Sequence, residues 1–173
     1  MEFEEVLKAR HSIRSYLNKP VEEWKLEKIL KAANMAPSAG NLQAYEIFVV
    51  TDADLKRALA RAAYDQWFIE EAPVVLVFCA NPLRSATVYG ERGIRLYSLQ
   101  DATIATTFSM LMATNLGLGS VWVGAFDDDE VMRVLKLPST LRPVAILPIG
   151  YPGEEPMITG RRRLNDIVHY VKP

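Results

Sequence analysis

The sequence is poor in the residues on which many functions depend. Its 173 residues include one cysteine and two histidines. The cysteine, Cys79, has no partner for an internal disulfide. Its setting in Val74-Val75-Leu76-Val77-Phe78-Cys79-Ala80 reads as that of a buried structural thiol in a reducing cytoplasm. With only His11 and His169 besides, a His/Cys metal site has almost no ligands to draw on. An excess of charge of one sign is also missing, since 20 Lys+Arg stand against 21 Asp+Glu for a net charge of −1. A nucleic-acid binder normally carries a basic surplus, so any basic function here is local. The most apolar run, Pro73 to Ala80, falls far short of the ~20 residues of a membrane-spanning helix. The start, Met1-Glu2-Phe3-Glu4-Glu5, lacks the basic and apolar parts of a secretory signal. No repeat, low-complexity stretch or linker interrupts the chain. What remains is half hydrophobic and 24% charged, the composition of an ordinary globular domain, and the length fits one domain, or two small ones at most.

Helical and strand patterns alternate. Phe3, Val6 and Leu7 suit a short first helix. Leu26, Ile29, Leu30 and Ala33 recur at the spacing of an amphipathic second helix, which ends before Pro37. Tyr45 to Val50 is a strand pattern. Asp52 is placed to cap a third helix running to Ala63. Pro73 to Ala80, with no polar alternation, predicts a strand buried on both faces. Pro82, Gly90 and Gly93 make 81–93 look like a loop. Leu96 to Leu116 is apolar or small nearly all round and predicts a helix buried on most sides, stopped at Gly117 and Gly119. Val121 to Ala125 reads as a short strand, and Asp127 to Glu130 load a helix start with negative charge. Val144 to Gly150 is a last strand, with Pro148 pointing to an edge or an irregular end. These elements predict a sheet with helices on both faces. The tail from Tyr151 carries Leu164, Ile167, Val168 and Tyr170, which need an apolar surface, such as that of a second subunit.

Four segments carry groups able to do chemistry. In Arg10-His11-Ser12-Ile13-Arg14 an extended backbone puts Ser12 and Arg14 on one face, and Arg10 can converge with them. Two guanidinium groups and a hydroxyl suit a phosphate; a solvated basic turn paired with Glu4 or Glu5 is the simpler alternative. In Pro37-Ser38-Ala39-Gly40-Asn41-Leu42-Gln43 small residues allow a ligand close to the backbone, and Ser38, Asn41 and Gln43 can hydrogen-bond a heterocycle. An ordinary helix-to-strand loop would look the same. Trp122-Val123-Gly124 could wall a planar ligand or simply pack the core. Arg161-Arg162-Arg163 is either a solvated run or, if the tail folds back, part of the same anion site. No phosphate loop, dinucleotide fingerprint or nucleophile elbow is present.

Taken in order and at their separations, these segments resemble the FMN-dependent nitroreductase family. The likeness runs from Arg10–Arg14 through Ala36–Gln43 and Ala72-Pro73-Val74-Val75 to Gly117-Leu118-Gly119 and Trp122-Val123-Gly124. It closes with Arg161 and Asp166-Ile167-Val168-His169. At Gln43-Ala44-Tyr45 the sequence departs from many members, which have a proline and a tryptophan after the glutamine. The resemblance implies an α+β, three-layer α-β-α sandwich that is a homodimer with FMN at its interface. It implies a single domain over 1–173, with the tail from about 151 packed on the partner. One subunit would supply Arg10, His11, Ser12, Arg14, Arg161 and, as a further candidate, Arg162. The other would supply Pro37, Ser38, Ala39 and Asn41. Arg10, Ser12 and Arg161 would grip the phosphate, Arg14 would sit near flavin N1, and Trp122, Val123 and Gly124 would lie along the ring. The implied reaction is ping-pong: NAD(P)H reduces FMN, and a nitroaromatic, quinone or other small oxidised acceptor takes the electrons. A flavin-storage protein without turnover, or a flavin-fragmenting or dehalogenating relative, is the alternative.

Overall fold

The computed structural model describes residues 1–172. Its centre is a four-stranded sheet in the order β1-β2-β4-β3, formed by Tyr45–Val50, Val74–Ala80, Gly119–Ser120 (β3) and Arg142–Gly150 (β4). All three neighbouring pairs are antiparallel. β2 is buried along its whole length, and the period of two along a strand divides its side chains between two cores. Val75, Val77 and Cys79 enter one core with Leu59, Ile69, Val131 and Ile146. Val74, Leu76, Phe78 and Ala80 enter the other with Ile29, Ala102, Ala105 and Leu147. The first core lies under α3 (Ala53–Ala62), α4 (Phe68–Glu71) and α7 (Asp128–Leu135). The second lies under α2 (Glu23–Asn34) and α6 (Ser98–Asn115). The result is three layers, helix on sheet on helix, in the α+β class. The remaining α-helices of the described residues are α1 (Phe3–Ala9) and α5 (Pro82–Arg92), and short helical turns lie at Ala39–Asn41, Gly93–Tyr97 and Leu164–Asp166.

Local chemistry explains several boundaries. Asp52 accepts the Leu55 N–H at 2.9 Å and Asp127 accepts the Glu130 N–H at 3.0 Å, so both act as N-caps of the helices they precede. Gly117 takes a left-handed conformation, φ 76°, just past the end of α6, a geometry that costs glycine least.

Three expectations need correction. Residues 81–93 are not a loop but helix α5. Asn81 caps it by accepting the Arg84 N–H at 3.1 Å, and Pro82 occupies its first turn, where the missing N–H is harmless. The break that Gly90 suggested is a kink inside the helix, with φ 51° and ψ −134°. The predicted strand at Val121–Ala125 is displaced: regular pairing stops at Ser120, and only Val123 bridges again, to Ile146. Pro148 lies in an inner strand, not an edge. The Ile146 N–H donates to Val123, so two residues on Pro148 turns its nitrogen toward the same side, at the gap between Ser120 and Val123. A proline there removes no ladder hydrogen bond.

Candidate functional site

α1 ends at Arg10, and the chain then runs extended so that Ser12 bridges Ser120 in parallel, with the Ile13 N–H donating to Ser120 at 3.1 Å. Ile13 fills the core while the residues around it face outward. Arg10, His11, Ser12 and Arg14 line one cavity of about 200 Å³ with Met157 and Thr159 of the tail. Neither Arg10 nor Arg14 is among the ion-paired residues of the described chain, and Glu4 pairs with Lys8 instead. The Ser120 hydroxyl behind Ser12 is buried and has no partner among the described residues. Tyr16 backs the segment, donating to Ile13 O at 2.7 Å and Pro148 O at 3.2 Å, and burial pushes its hydroxyl well above the usual tyrosine range.

The second segment belongs to a different cavity. Pro37, Ser38 and Ala39 face Tyr97, Leu99 and Ile104 across about 560 Å³. No lining residue is shared with the cavity at Arg10. Gly40, Asn41 and Gln43 all have positive φ, at 58°, 55° and 45°, and Ser38 Oγ accepts the Gln43 N–H at 3.0 Å. A methyl group on Gly40 would come within 2.6 Å of the Tyr89 hydroxyl. Tyr89 in turn stands edge-on to Tyr97, with ring centres 5.0 Å apart.

Of the third segment, Trp122 is half-buried against the α6 core, Val123 is buried in the other core, and Gly124 is exposed. The fourth lies in the tail, where Arg161, Arg162 and Arg163 are exposed. Arg163 pairs with Asp166 at 3.2 Å. Arg162 donates to the Asp166 carbonyl at 2.8 Å. Arg161 bonds only within its own turn, to Thr159 and Gly160. None of the three lines the Arg10 cavity. The tail is anchored at its root: Leu17 N–H donates to Tyr151 O at 2.9 Å, Gly153 N–H to Ser15 O at 2.8 Å, and Arg14 N–H to the Glu154 carboxylate at 2.5 Å. The Lys25 ammonium donates to the Tyr151 hydroxyl, which donates to Glu22. That hydroxyl raises the Lys25 pKa and lowers that of Glu22. Beyond Pro156 the tail is exposed, including Ile158, Leu164, Tyr170 and Val171.

Sequence reading missed Asp101, Tyr97, Met157 and Thr159, all of which line these cavities. A carboxylate within an otherwise apolar helix pattern was the available signal for Asp101; the others carry no local mark. Among the described residues no three His, Cys, Asp or Glu side chains cluster as a metal would require, and no helix is long and apolar enough to cross a membrane.

Comparison with known proteins agrees with this architecture. A "NADH dehydrogenase" of Thermus thermophilus is 35% identical to the chain, over 92% of the chain and 91% of the relative. An "FMN reductase [NAD(P)H]" of Bacillus subtilis is 33% identical, over 87% of the chain and 67% of the relative. The solved NADPH:FMN oxidoreductase of Vibrio harveyi, in complex with NAD⁺, superposes with a TM-score of 0.90 at 28% identity, covering 98% of this chain and 77% of that one. The Nitroreductase family model matches residues 7–71 and 66–151. With the layered fold and the ordered segments, these matches establish that the chain belongs to the nitroreductase family.

Proposed function

We propose that this protein is an FMN-dependent oxidoreductase that passes electrons from NAD(P)H to a small oxidised acceptor, such as a nitroaromatic or a quinone. The observation that carries the reading is the Arg10–Arg14 cavity, two guanidiniums and a hydroxyl around one small space, within a family whose named relatives include FMN reductases. The donor set fits FMN. Planar guanidinium forks match phosphate oxygens, Ser12 adds a hydroxyl donor, and the Ser38 hydroxyl and the Asn41 NH₂ can donate to a heterocycle while the Gln43 NH₂ is taken up by Ser38 and Asn41.

The site we propose comprises Arg10, His11, Ser12 and Arg14 with Arg161 and Arg162 of one subunit. Pro37, Ser38, Ala39 and Asn41 come from the other, and Trp122, Val123 and Gly124 complete it. Two observations support sharing it between two copies. The Arg10 cavity, at about 200 Å³, lies below the ~300–1,000 Å³ of pockets that enclose a ligand of this size. The apolar tail is also uncovered in the single chain. The whole chain is then one FMN-binding domain whose tail, from about residue 151, packs on its partner; Pro173 lies outside the described residues.

When bound, FMN supplies the hydride chemistry; the protein binds, orients and polarises it. Arg10 and Ser12 hold the phosphate with a tail arginine. Arg14 offsets negative charge on the ring, and a cation fixed in advance needs no reorganisation during the reaction. Leu99, Ile104 and Tyr97 give the second cavity an apolar side against which a planar ring can pack. A single reduced, buried thiol and a nicotinamide donor together favour the cytoplasm.

The test is the visible spectrum of the purified protein, recorded anaerobically before and after NADH and NADPH. A flavin spectrum that bleaches, and returns with an acceptor, is expected. A colourless protein that refuses added FMN would overturn the reading, and bleaching without turnover on any acceptor would leave a flavin-storage protein.

A further inference from the structure

Asp101 stands apart from every other acidic residue of the chain. It sits in the first turn of α6 and is 2% exposed. None of the ion pairs among the described residues includes it. Both carboxylate oxygens are spent on backbone: Oδ1 accepts the Ala39 N–H at 3.0 Å and Oδ2 the Ala44 N–H at 3.3 Å. A buried charge held by backbone donors alone is a costly arrangement and needs a reason.

The reason lies in the segment between those two donors. Gly40, Asn41 and Gln43 are left-handed, and such a conformation costs a non-glycine residue about 1 kcal/mol or more. A free chain would not keep that shape. Asp101 grips the segment at both ends, while Arg84 Nε donates to Leu42 O between them. It also lines the cavity that Pro37, Ser38 and Ala39 open onto.

We infer that Asp101 is a positioning residue: it preorganises the Ser38–Ala44 turn so that Ser38, Ala39 and Asn41 already have the geometry needed to receive the flavin. The inference rests on the FMN reading above. Charge-assisted hydrogen bonds to backbone are strong, and ordering the turn before binding removes an entropic cost from the binding step. Asp101→Asn keeps the shape but turns an amide NH₂ toward one of the two N–H donors. FMN affinity, read by flavin fluorescence, should then fall by about ten- to a hundredfold, with faster hydrogen exchange at the Ala39 and Ala44 amides. Thr106→Ala, on the same helix, is the control. Thr106 is fully buried but bonds only to Ala102 in its own helix, so the variant should lose stability while keeping FMN affinity.

Unchanged FMN affinity in Asp101→Asn, or an equal loss in Thr106→Ala, would overturn the positioning role while leaving the flavin reading intact. A wild-type protein that never binds FMN would instead overturn that reading, and the inference with it. If Asp101→Asn does not fold, the wild-type protein decides. Its Ala39 and Ala44 amides should be protected before FMN is added. Protection that arises only on adding FMN would mean that the cofactor, not Asp101, shapes the turn.

Discussion

The Ser38–Ala44 turn and the Tyr151–Lys172 tail both belong to the candidate site, yet they are built in opposite ways. The turn is complete within the chain. Its left-handed residues are held by the Asp101 carboxylate, the Ser38 hydroxyl and Arg84. The tail is held only at its root, around Ser15–Leu17 and Tyr151, and then leaves Tyr170 86% and Val171 95% exposed. Tail arginines bond only to residues of the tail itself. A segment that satisfies its own polar groups needs nothing further. One that leaves a row of apolar side chains in water needs a surface to cover them. On the proposed reading that surface is the second subunit, and the difference divides the site into a half already made and a half made by association.

Three experiments press on that division, beginning with the largest effect. A chain ended after Pro156 removes the exposed tail and its arginines but keeps the root contacts. It should become monomeric in light scattering and lose its flavin entirely, while the helix and sheet content seen by circular dichroism persists. A truncated dimer that stays yellow would break the comparison. Next, Arg10→Ala removes one charge-assisted contact from a cavity that remains. FMN affinity should weaken by about ten- to a hundredfold, the equivalent of roughly 1.5–3 kcal/mol, with dimerisation unchanged; equal retention of FMN would remove Arg10 from the phosphate grip. The smallest effect belongs to the frame that both regions share. Burial pushes the Cys79 thiol up to about 12. Its contribution to stability is therefore full below the ordinary thiol range and declines as the pH rises from about 9 toward 12. At pH 8 the native thiol should resist alkylating reagents that label it in urea. Rapid native labelling would show that the sheet opens.

Much of the molecule was legible along the chain because the information there is local. Helix spacing, the Asp52 cap, the acidic helix start at Asp127–Glu130 and the unbroken apolar run of β2 depend on neighbours a few residues apart, and all appear where expected. The helix at 82–92 was hidden because asparagine followed by proline marks a helix start and a loop equally well. Pro148 misled because a proline inside a sheet is tolerated only beside a gap in pairing, and the gap lies in a strand more than twenty residues earlier, between Ser120 and Val123. In the site, the grouping of Arg10, Ser12 and Arg14 was legible along the chain, but the separation of the segments was not. Arg10, Ser12 and Arg14 come together because an extended backbone aligns them. That they are set apart from Pro37–Ala39 follows only from how α6 and the sheet are packed.

By itself, then, the order of residues determined most of the elements, though not helix α5 or the place of β3, and with them the two-faced core and the family, since each rests on short-range pattern or on motifs read in sequence. Tertiary structure alone decided that Asp101, some sixty residues from its partners, would hold the turn, and that the tail would be left uncovered. Contacts across that separation carry no local signature, because burial and hydrogen bonding are settled by which surfaces meet once the layers have closed.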